Sequence, residues 1–287
     1  MAKRKGIMLC YPFEERRLKR WEEWMPGPTI VQPKLDGIRC RAICSNGGVT
    51  LLSSTEEEIV SVPHINEELL PLAEEHIELD GELYSHNLPF NEIESRVTRT
   101  VNLHPSYEDI EYHIFDIVSF TDSQYKRILH LQKFIENTKV SLSKYIKKVN
   151  SFVCYSLDDI MWIYERLLKD EYEGMVVRNF FGMYERKRSP LVMKFKPKKD
   201  DFYEVVGFKQ MLDKDKQYKP LLGSLQLQGD DGTKFWVGSG MTDSFRDKYW
   251  PEEEAKKLLG KFCHVKYQHL TDKKVPRFPV FVEVEDG

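Results

Sequence analysis

Val31-Gln32-Pro33-Lys34-Leu35-Asp36-Gly37-Ile38-Arg39 places a lysine where an apolar, strand-like run gives way to a turn. Asp36 follows two residues on, and Gly37 then permits a tight reversal of the backbone. Such a stretch suits an amine presented at the base of a pocket. It also suits a surface hairpin, because Asp-Gly is a common turn dipeptide and lysine is usually solvated. Taken alone, it does not choose between them.

Three further stretches bear on the choice. In Glu78-Leu79-Asp80-Gly81-Glu82-Leu83, an extended backbone puts Asp80 and Glu82 on one face, where the carboxylates either repel at a wet edge or share a cation. Glu173-Gly174-Met175-Val176-Val177-Arg178 sets a carboxylate at the mouth of an apolar strand. Leu191-Val192-Met193-Lys194-Phe195-Lys196 alternates strictly, so Lys194 and Lys196 share a face while Met193 and Phe195 pack behind. Two parallel ammonium groups are costly without an anion between them, and phosphate is the obvious one. A wet basic face is the plainer reading of the same alternation.

Outward from these stretches the chain reads as α+β. Strands are expected at 29–33, 38–43, 49–53, 77–84, 112–119, 174–178 and 191–196, alternating irregularly with helices. The clearest helix follows Ser156, which can cap it, with Asp159 as a capping-box partner. Ile160, Ile163, Tyr164, Leu167 and Leu168 share its apolar face. Segment chemistry changes near Pro197, which divides the chain into 1–199 and 200–287. The second part reads as short strands at 202–208, 224–227, 234–238, 262–268 and 280–284 with a helix at 243–249, as suits a small closed β-barrel of the OB type.

The four stretches, in this order, resemble the nucleotidyltransferase motifs shared by ATP-dependent DNA ligases, RNA ligases and mRNA capping enzymes. The resemblance runs from Val31 to about Lys196 and continues beyond. Gly223-Ser224-Leu225, Val237-Gly238-Ser239-Gly240-Met241-Thr242-Asp243 and Val275-Pro276-Arg277-Phe278-Pro279-Val280-Phe281 are similar to OB-domain signatures of DNA ligases. Phe115 matches the aromatic that stacks on the nucleobase, although by itself it reads as an ordinary core residue. The family implied is the ATP-dependent DNA ligases of minimal viral or bacterial type, with an adenylation (nucleotidyltransferase) domain of antiparallel sheets and flanking helices followed by an OB-fold domain.

That resemblance implies a nick-sealing enzyme working through a lysyl-AMP and an adenylated DNA 5′-end. Lys34 becomes the nucleophile beside Asp36, and Lys194 and Lys196 neutralise the α-phosphate. Glu82 and Glu173 become the metal and ribose-side carboxylates, with Mg²⁺, or Mn²⁺ in its place, as the ion. Arg39 contacts the ribose or the 5′-phosphate, and Gln32 and Pro33 border the base. An amine with a solution pKa of about 10.4 is a poor nucleophile at neutral pH, so nearby cations and metal are expected to activate it. Nicked duplex DNA is the implied partner of a monomeric enzyme. Its phosphates are expected to meet Arg41, Arg186, Lys187, Arg188, Lys198, Lys199 and Arg277, with Lys3-Arg4-Lys5 and the loop 209–219 as further candidates. Plain solvated faces account for these cations equally well.

Two departures from the family pattern stand out. Where an arginine usually follows the lysine motif, this chain reads Leu51-Leu52-Ser53-Ser54-Thr55-Glu56-Glu57-Glu58, which leaves phosphate sensing to Arg39 or Arg41. The C-terminus is acidic where many ligases end in basic residues. The rival readings are an RNA ligase or capping-type nucleotidyltransferase and a noncatalytic nick- or end-binding protein that kept the fold.

Composition narrows the classes further. With 43 Lys plus Arg against 46 Asp plus Glu, the net charge is −3, so total charge does not point to nucleic acid. At 41% hydrophobic and 12% aromatic residues, the chain can bury a core in each part, which excludes disordered and collagen-like classes. Every apolar run meets a charge too soon for a membrane span of about 20 residues, and a cytoplasmic protein is expected, in a bacterial host if the source is viral. Cys10, Cys40, Cys44, Cys154 and Cys263 are scattered, which suits buried thiols better than a disulfide framework or a zinc site. GxxxxGK[ST] and HExxH patterns are absent. Only 28 residues precede Thr29, which favours ATP over NAD⁺ as the nucleotide and leaves no room for a separate N-terminal DNA-binding domain.

Overall fold

The computed structural model describes residues 6–138, 143–196, 199–213, 216–268, 270–271 and 273–285. It divides into two compact units, 1–164 with 172–195 and 165–171 with 196–287. The elements run β1 (Leu9–Pro12), α1 (Glu15–Trp24), β2 (Thr29–Lys34), β3 (Ile38–Ser45), β4 (Gly48–Ser53), α2 (Pro63–Leu69), β5 (Ile77–Tyr84), α3 (Phe90–Val97), β6 (Glu111–Ile117) and α4 (Gln124–Glu136). They continue with β7 (Ile146–Lys148), β8 (Phe152–Cys154), α5 (Leu157–Lys169), β9 (Gly174–Asn179) and β10 (Arg188–Phe195).

Two sheets make the first unit. One has the order β1-β10-β9-β2-β8, antiparallel except where β1 runs parallel to β10. Directly opposed residues share a face, so Gln32, Val176 and Lys194 form one row across β2, β9 and β10, and Ile30, Arg178 and Val192 form the next. The intervening Val31, Val177, Met193 and Phe195 are buried on the other face. The second sheet has the order β4-β3-β5-β6-β7. Its Cys40, Ala42, Leu79, Leu83, Tyr112 and Ile114 are fully buried and belong to one core that also takes Ile65 and Leu69 of α2.

Local signals explain the element ends. Ser156 Oγ accepts from Asp159 N at 3.1 Å, and the Asp159 carboxylate accepts from Ser156 N at 3.1 Å and Tyr155 N at 2.9 Å, closing the capping box before α5. Ile160, Ile163, Tyr164 and Leu167 are buried along its apolar face, and Leu168 is half-buried. Pro63 opens α2, where a missing N–H costs nothing.

The second unit carries β11 (Lys199–Leu212), β12 (Tyr218–Gln228), β13 (Lys234–Val237), α6 (Asp243–Lys248), α7 (Glu252–Lys256), β14 (Phe262–Tyr267) and β15 (Val280–Glu285). The order β13-β12-β11-β14-β15 is antiparallel throughout, and Phe281 N donates to Ser239 O at 2.7 Å, which joins the two edges. This is the OB strand order, with the helices between β13 and β14. Thr242 caps α6 through Phe245 N at 3.1 Å. Gly240, at φ +90, lies so close to Phe281 O that a Cβ there would stand 2.4 Å from it.

Several elements escaped the sequence reading. The strands β1, β7 and β8 are three or four residues long, too short for a period to register. β10 begins at Arg188, three residues before the expected start, because Leu9 pairs with Arg188. β11 is twice the expected length, extended by its hairpin with β12. Among the described residues no helix is long and apolar enough to cross a membrane. Cys40, Cys44, Cys154 and Cys263 are free and buried, and Cys10 is free and half-buried.

Candidate active site

Lys34 is the last residue of β2 and pairs with Gly174, the first residue of β9. That register brings Glu173 beside the amine, and Lys34 Nζ donates to Glu173 Oε2. Lys194 stands on the same sheet face one row away, opposite Val176. Pro33 is buried behind the strand, and Asp36 is exposed in the turn that follows. Lys196 comes directly after β10 and counts with the second unit.

The second sheet supplies the facing carboxylates. Glu82 stands opposite Arg39 on β3 and opposite His113 on β6. Burial is the main cause that pushes the Glu82 carboxyl up to about 7. Arg39 and Lys34 oppose the rise, while Asp80 and Asp36 add to it. Five charged side chains from three segments of chain therefore act on one another here.

Asp80 has a different role from the one its spacing suggested. Its carboxylate accepts from Arg39 Nε and Nη2, both at 2.6 Å, and from Tyr184 Oη at 2.5 Å, with no exposure to solvent. Of the two outcomes open for the Asp80–Glu82 pair, Asp80 takes the cation, and that cation is a guanidinium. Burial opposes the Arg39 charge, but Asp80 outweighs it and holds the guanidinium well above its usual pKa. Burial likewise raises the Tyr184 hydroxyl, which stays protonated and donates.

Phe115 sits at a β-bulge: Gly81 pairs with Ile114 and Asp80 with Asp116, so Phe115 is the extra residue. Bulges re-aim side chains at sites of this kind. The ring lies under two guanidinium groups, with Arg39 Cζ 4.5 Å and Arg178 Cζ 5.4 Å from its centroid. Gln32, 2% exposed, is oriented on both sides. Its Nε2 donates to Phe115 O at 3.1 Å and Ser151 Oγ at 3.0 Å, and its Oε1 accepts from Arg178 Nε at 2.7 Å. Behind Phe115 the wholly buried Asp116 accepts from Arg127 Nε at 2.8 Å and Nη2 at 3.1 Å.

The expected DNA-facing cations do not form one group. The Arg41 side chain is 5% exposed and is held by Glu78 at 2.5 Å and Glu56 at 3.2 Å, so neighbouring carboxylates already occupy it. The acidic run that replaces the family's arginine thus supplies a partner to Arg41. Arg186 Nη2 also pairs with Glu78, at 2.6 Å, and Lys187 with Glu185 at 2.9 Å. Arg188 Nη1 donates to Cys10 O at 2.5 Å. Lys199 is exposed on β11, and Arg277 Cζ lies 4.2 Å over the Phe278 ring. Lys3, Arg4, Lys5, Pro197 and Lys198 lie outside the described residues, as do Lys214 and Asp215 of the 209–219 loop.

Sequence reasoning missed a ring cluster beside Glu82. Tyr84 Oη is 2.8 Å from His86 Nδ1, and its ring meets His113 edge-on at 5.2 Å; His86 packs on Tyr172, the residue before Glu173. Tyr84 shares the Glu82 face two residues along the strand, and that alternation was the available signal. Tyr184 left none, since its partner lies 104 residues away.

The fold is that of a nucleotidyltransferase domain with an OB-like domain. Residues 7–196 match the family model for the ATP dependent DNA ligase domain, and residues 215–284 match the DNA ligase OB-like domain. The chain belongs to the ATP-dependent DNA ligase family. It is 28% identical over 261 residues to a DNA ligase of African swine fever virus, covering 85% of this chain and 60% of the viral protein. To a DNA ligase of Haemophilus influenzae it is 24% identical over 278 residues, covering 96% of this chain and 90% of that one. Among solved structures, the bacteriophage T7 ATP-dependent DNA ligase in complex with ATP superposes at TM-score 0.72, with 16% identity and coverage of 97% and 98%. Chlorella virus DNA ligase-adenylate gives 0.67, with 21% identity and 99% of both chains covered.

Proposed function

We propose that this chain is an ATP-dependent DNA ligase that seals 3′-hydroxyl/5′-phosphate nicks in duplex DNA. The observation that carries the reading is the Lys34–Glu173 ion pair at the mouth of β2 and β9, facing Glu82 from the other sheet. In the first step Lys34 Nζ attacks the α-phosphorus of ATP, a P–N bond forms and the P–O bond to pyrophosphate breaks. Glu173, already hydrogen-bonded to Nζ, is placed to receive the proton the amine must lose. Lys194 supplies positive charge on the same sheet face, with Lys196 close behind it in sequence, against the charge that develops on the α-phosphate. Phe115 offers its ring to the base, and Gln32, held from both sides, borders it together with Pro33.

In the second step an oxygen of the DNA 5′-phosphate attacks the same phosphorus, and the P–N bond breaks to return the amine. In the third, the 3′-hydroxyl attacks the 5′-phosphate and AMP leaves. Glu82 and Glu173 fit a magnesium ion, which takes one or two carboxylates and keeps waters and substrate phosphates as its other ligands. A partly buried carboxyl raised toward neutrality, as Glu82 is, lacks a cation that such an ion would supply. When bound, the ion polarises phosphoryl oxygens as a Lewis acid. Exposed Lys187 and Lys199 are the simplest phosphate contacts for DNA, and the enzyme acts as a monomer.

The test is to incubate the protein with Mg²⁺ and α-labelled ATP, GTP or NAD⁺ and resolve it on a denaturing gel, with Lys34→Ala alongside. Label from ATP only, absent in the variant and chased by nicked duplex into a sealed strand, is the expected result. Covalent label on the Lys34→Ala protein overturns the assignment, and label from GTP makes the chain a capping-type enzyme.

A further inference from the structure

Strand register gives Arg39 a nearer carboxylate than the one it takes. Directly opposed residues on neighbouring strands hold their Cβ atoms about 5 Å apart, and diagonal ones stand about 7–8 Å apart. Glu82 is directly opposite Arg39, and Asp80 is diagonal to it. Arg39 Nε and Nη2 nevertheless both close on Asp80, at 2.6 Å. Something other than distance across the sheet makes that choice.

Tyr184 is the group that distinguishes the two carboxylates. Its Oη donates to Asp80 Oδ2 at 2.5 Å, the oxygen that also accepts from Arg39 Nη2, so the wholly buried Asp80 carboxylate meets three donors. A short O–H bond to an ionised acceptor is roughly twice as strong as a neutral one. Glu82 makes no ion pair among the described residues. The Tyr184 hydroxyl is also held independently of Arg39. Met8 N donates to Oη at 3.2 Å, which leaves the hydroxyl hydrogen for Asp80. Two residues earlier, Gly182 O accepts from Arg127 Nη1 at 3.0 Å, and Arg127 Cζ lies 5.8 Å from the centre of the Tyr184 ring. Arg127 is itself fully buried on Asp116, the residue after Phe115. The segment between β9 and β10 thus delivers a fixed donor to Asp80 and not to Glu82.

We propose that Tyr184 is a positioning residue of the active site: its hydroxyl commits Arg39 to Asp80 and so keeps the Glu82 carboxylate free for the metal ion and ribose. Without the hydroxyl, the Arg39 fork turns to its directly opposed neighbour and cancels the charge that Glu82 offers to substrate. Tyr184 acts through Asp80 and Arg39 and needs no contact of its own with nucleotide or DNA. This role rests on the assignment of Glu82 made above and adds to it the group that leaves Glu82 unpaired.

The test follows exchange of the Arg39 Nε proton with water in the full chain labelled with ¹⁵N-arginine, the resonance being assigned by its loss in Arg39→Lys. In the parent, Glu82→Gln should change the exchange rate by no more than about twofold, as for groups that share no contact. On the Tyr184→Phe background the same Glu82→Gln substitution should change it by about tenfold, the worth of one hydrogen bond to a charged group. Tyr184→Phe should also slow lysyl-adenylate formation at saturating ATP and Mg²⁺ by about 10- to 100-fold, with KM for ATP close to the parent's. Asp80→Asn, which loosens the same grip from the other end, serves where Tyr184→Phe does not fold and should likewise make Arg39 respond to Glu82→Gln. A merely structural Tyr184 would lower the melting temperature and leave Arg39 indifferent to Glu82→Gln, and that result overturns the proposal. So does a parent protein in which Arg39 already responds to Glu82→Gln. Exchange needs no turnover, so an Arg39 that responds as expected while adenylation is unchanged would overturn the assignment of Glu82 instead, and the two readings fail separately.

Discussion

Arg39 stands opposite Glu82 in the pairing of β3 with β5, yet its guanidinium reaches two residues along and closes on Asp80 with two contacts of 2.6 Å. This choice separates the roles of two carboxylates that the sequence presents as equivalent. Asp80 is spent on structure, holding Arg39 and Tyr184, while Glu82 makes no ion pair among the described residues and feels the charge of Lys34.

Removing Asp80 should therefore damage stability first. Asp80→Ala leaves the half-buried Arg39 guanidinium and the Tyr184 hydroxyl without their acceptor, a loss of about 1–3 kcal/mol, read as a lower urea midpoint at unchanged slope. A loss below about 0.5 kcal/mol would mean that solvent replaces Asp80 at both donors.

Glu82 should set an acid limb on adenylate formation. Its folded-state pKa of about 7 lies above the ordinary 4.5, so the carboxyl is neutral below pH 7 and charged above it. Between those values the folded state binds more protons than the unfolded one, so Glu82's contribution to stability falls as pH rises through that window. Glu82→Gln should raise stability at pH 8 by an amount on the order of 2 kcal/mol while abolishing adenylation. Thermal melts of both proteins at pH 5 and pH 8 check the sign; a variant less stable than the parent at pH 8 contradicts it.

Phe115→Leu keeps most of the apolar volume and removes the π face. If the ring stacks on adenine, KM for ATP should rise by about 5- to 150-fold, since a base on an aromatic ring is worth roughly 1–3 kcal/mol. Single-turnover adenylation across ATP concentrations separates this from a fall in rate at saturation, which would point to a structural role instead.

In the second unit, Gly240→Ala meets two obstacles at once, a φ of +90 and a Cβ 2.4 Å from Phe281 O. The strained backbone alone costs of order 1–3 kcal/mol, and the Phe281–Ser239 bond that joins the barrel edges must shift. Loss of near-ultraviolet signal and of amide-exchange protection in β13 and β15 is expected; unchanged protection there would show that the barrel edge tolerates the methyl group.

Much of this protein is written locally. The apolar run at 174–178, the alternation along 191–196, the turn after Lys34 and the Ser156 cap each depend on neighbouring residues, so the longer strands, the α5 helix and the OB-type second unit could be read before any tertiary contact was known. Lys34, Glu82, Glu173 and Lys194 were singled out by the resemblance of four ordered stretches to the ligase family, since alternation alone left a surface hairpin and a wet basic face equally open. Which cation meets which anion was not legible. Arg39 chose Asp80, Arg41 chose Glu78 and Glu56, and Tyr184 joined Asp80 across 104 residues. Those choices depend on register between distant strands and on burial. A charged side chain takes whichever partner lets it leave water at least cost, and only the tertiary structure decides which partner that is.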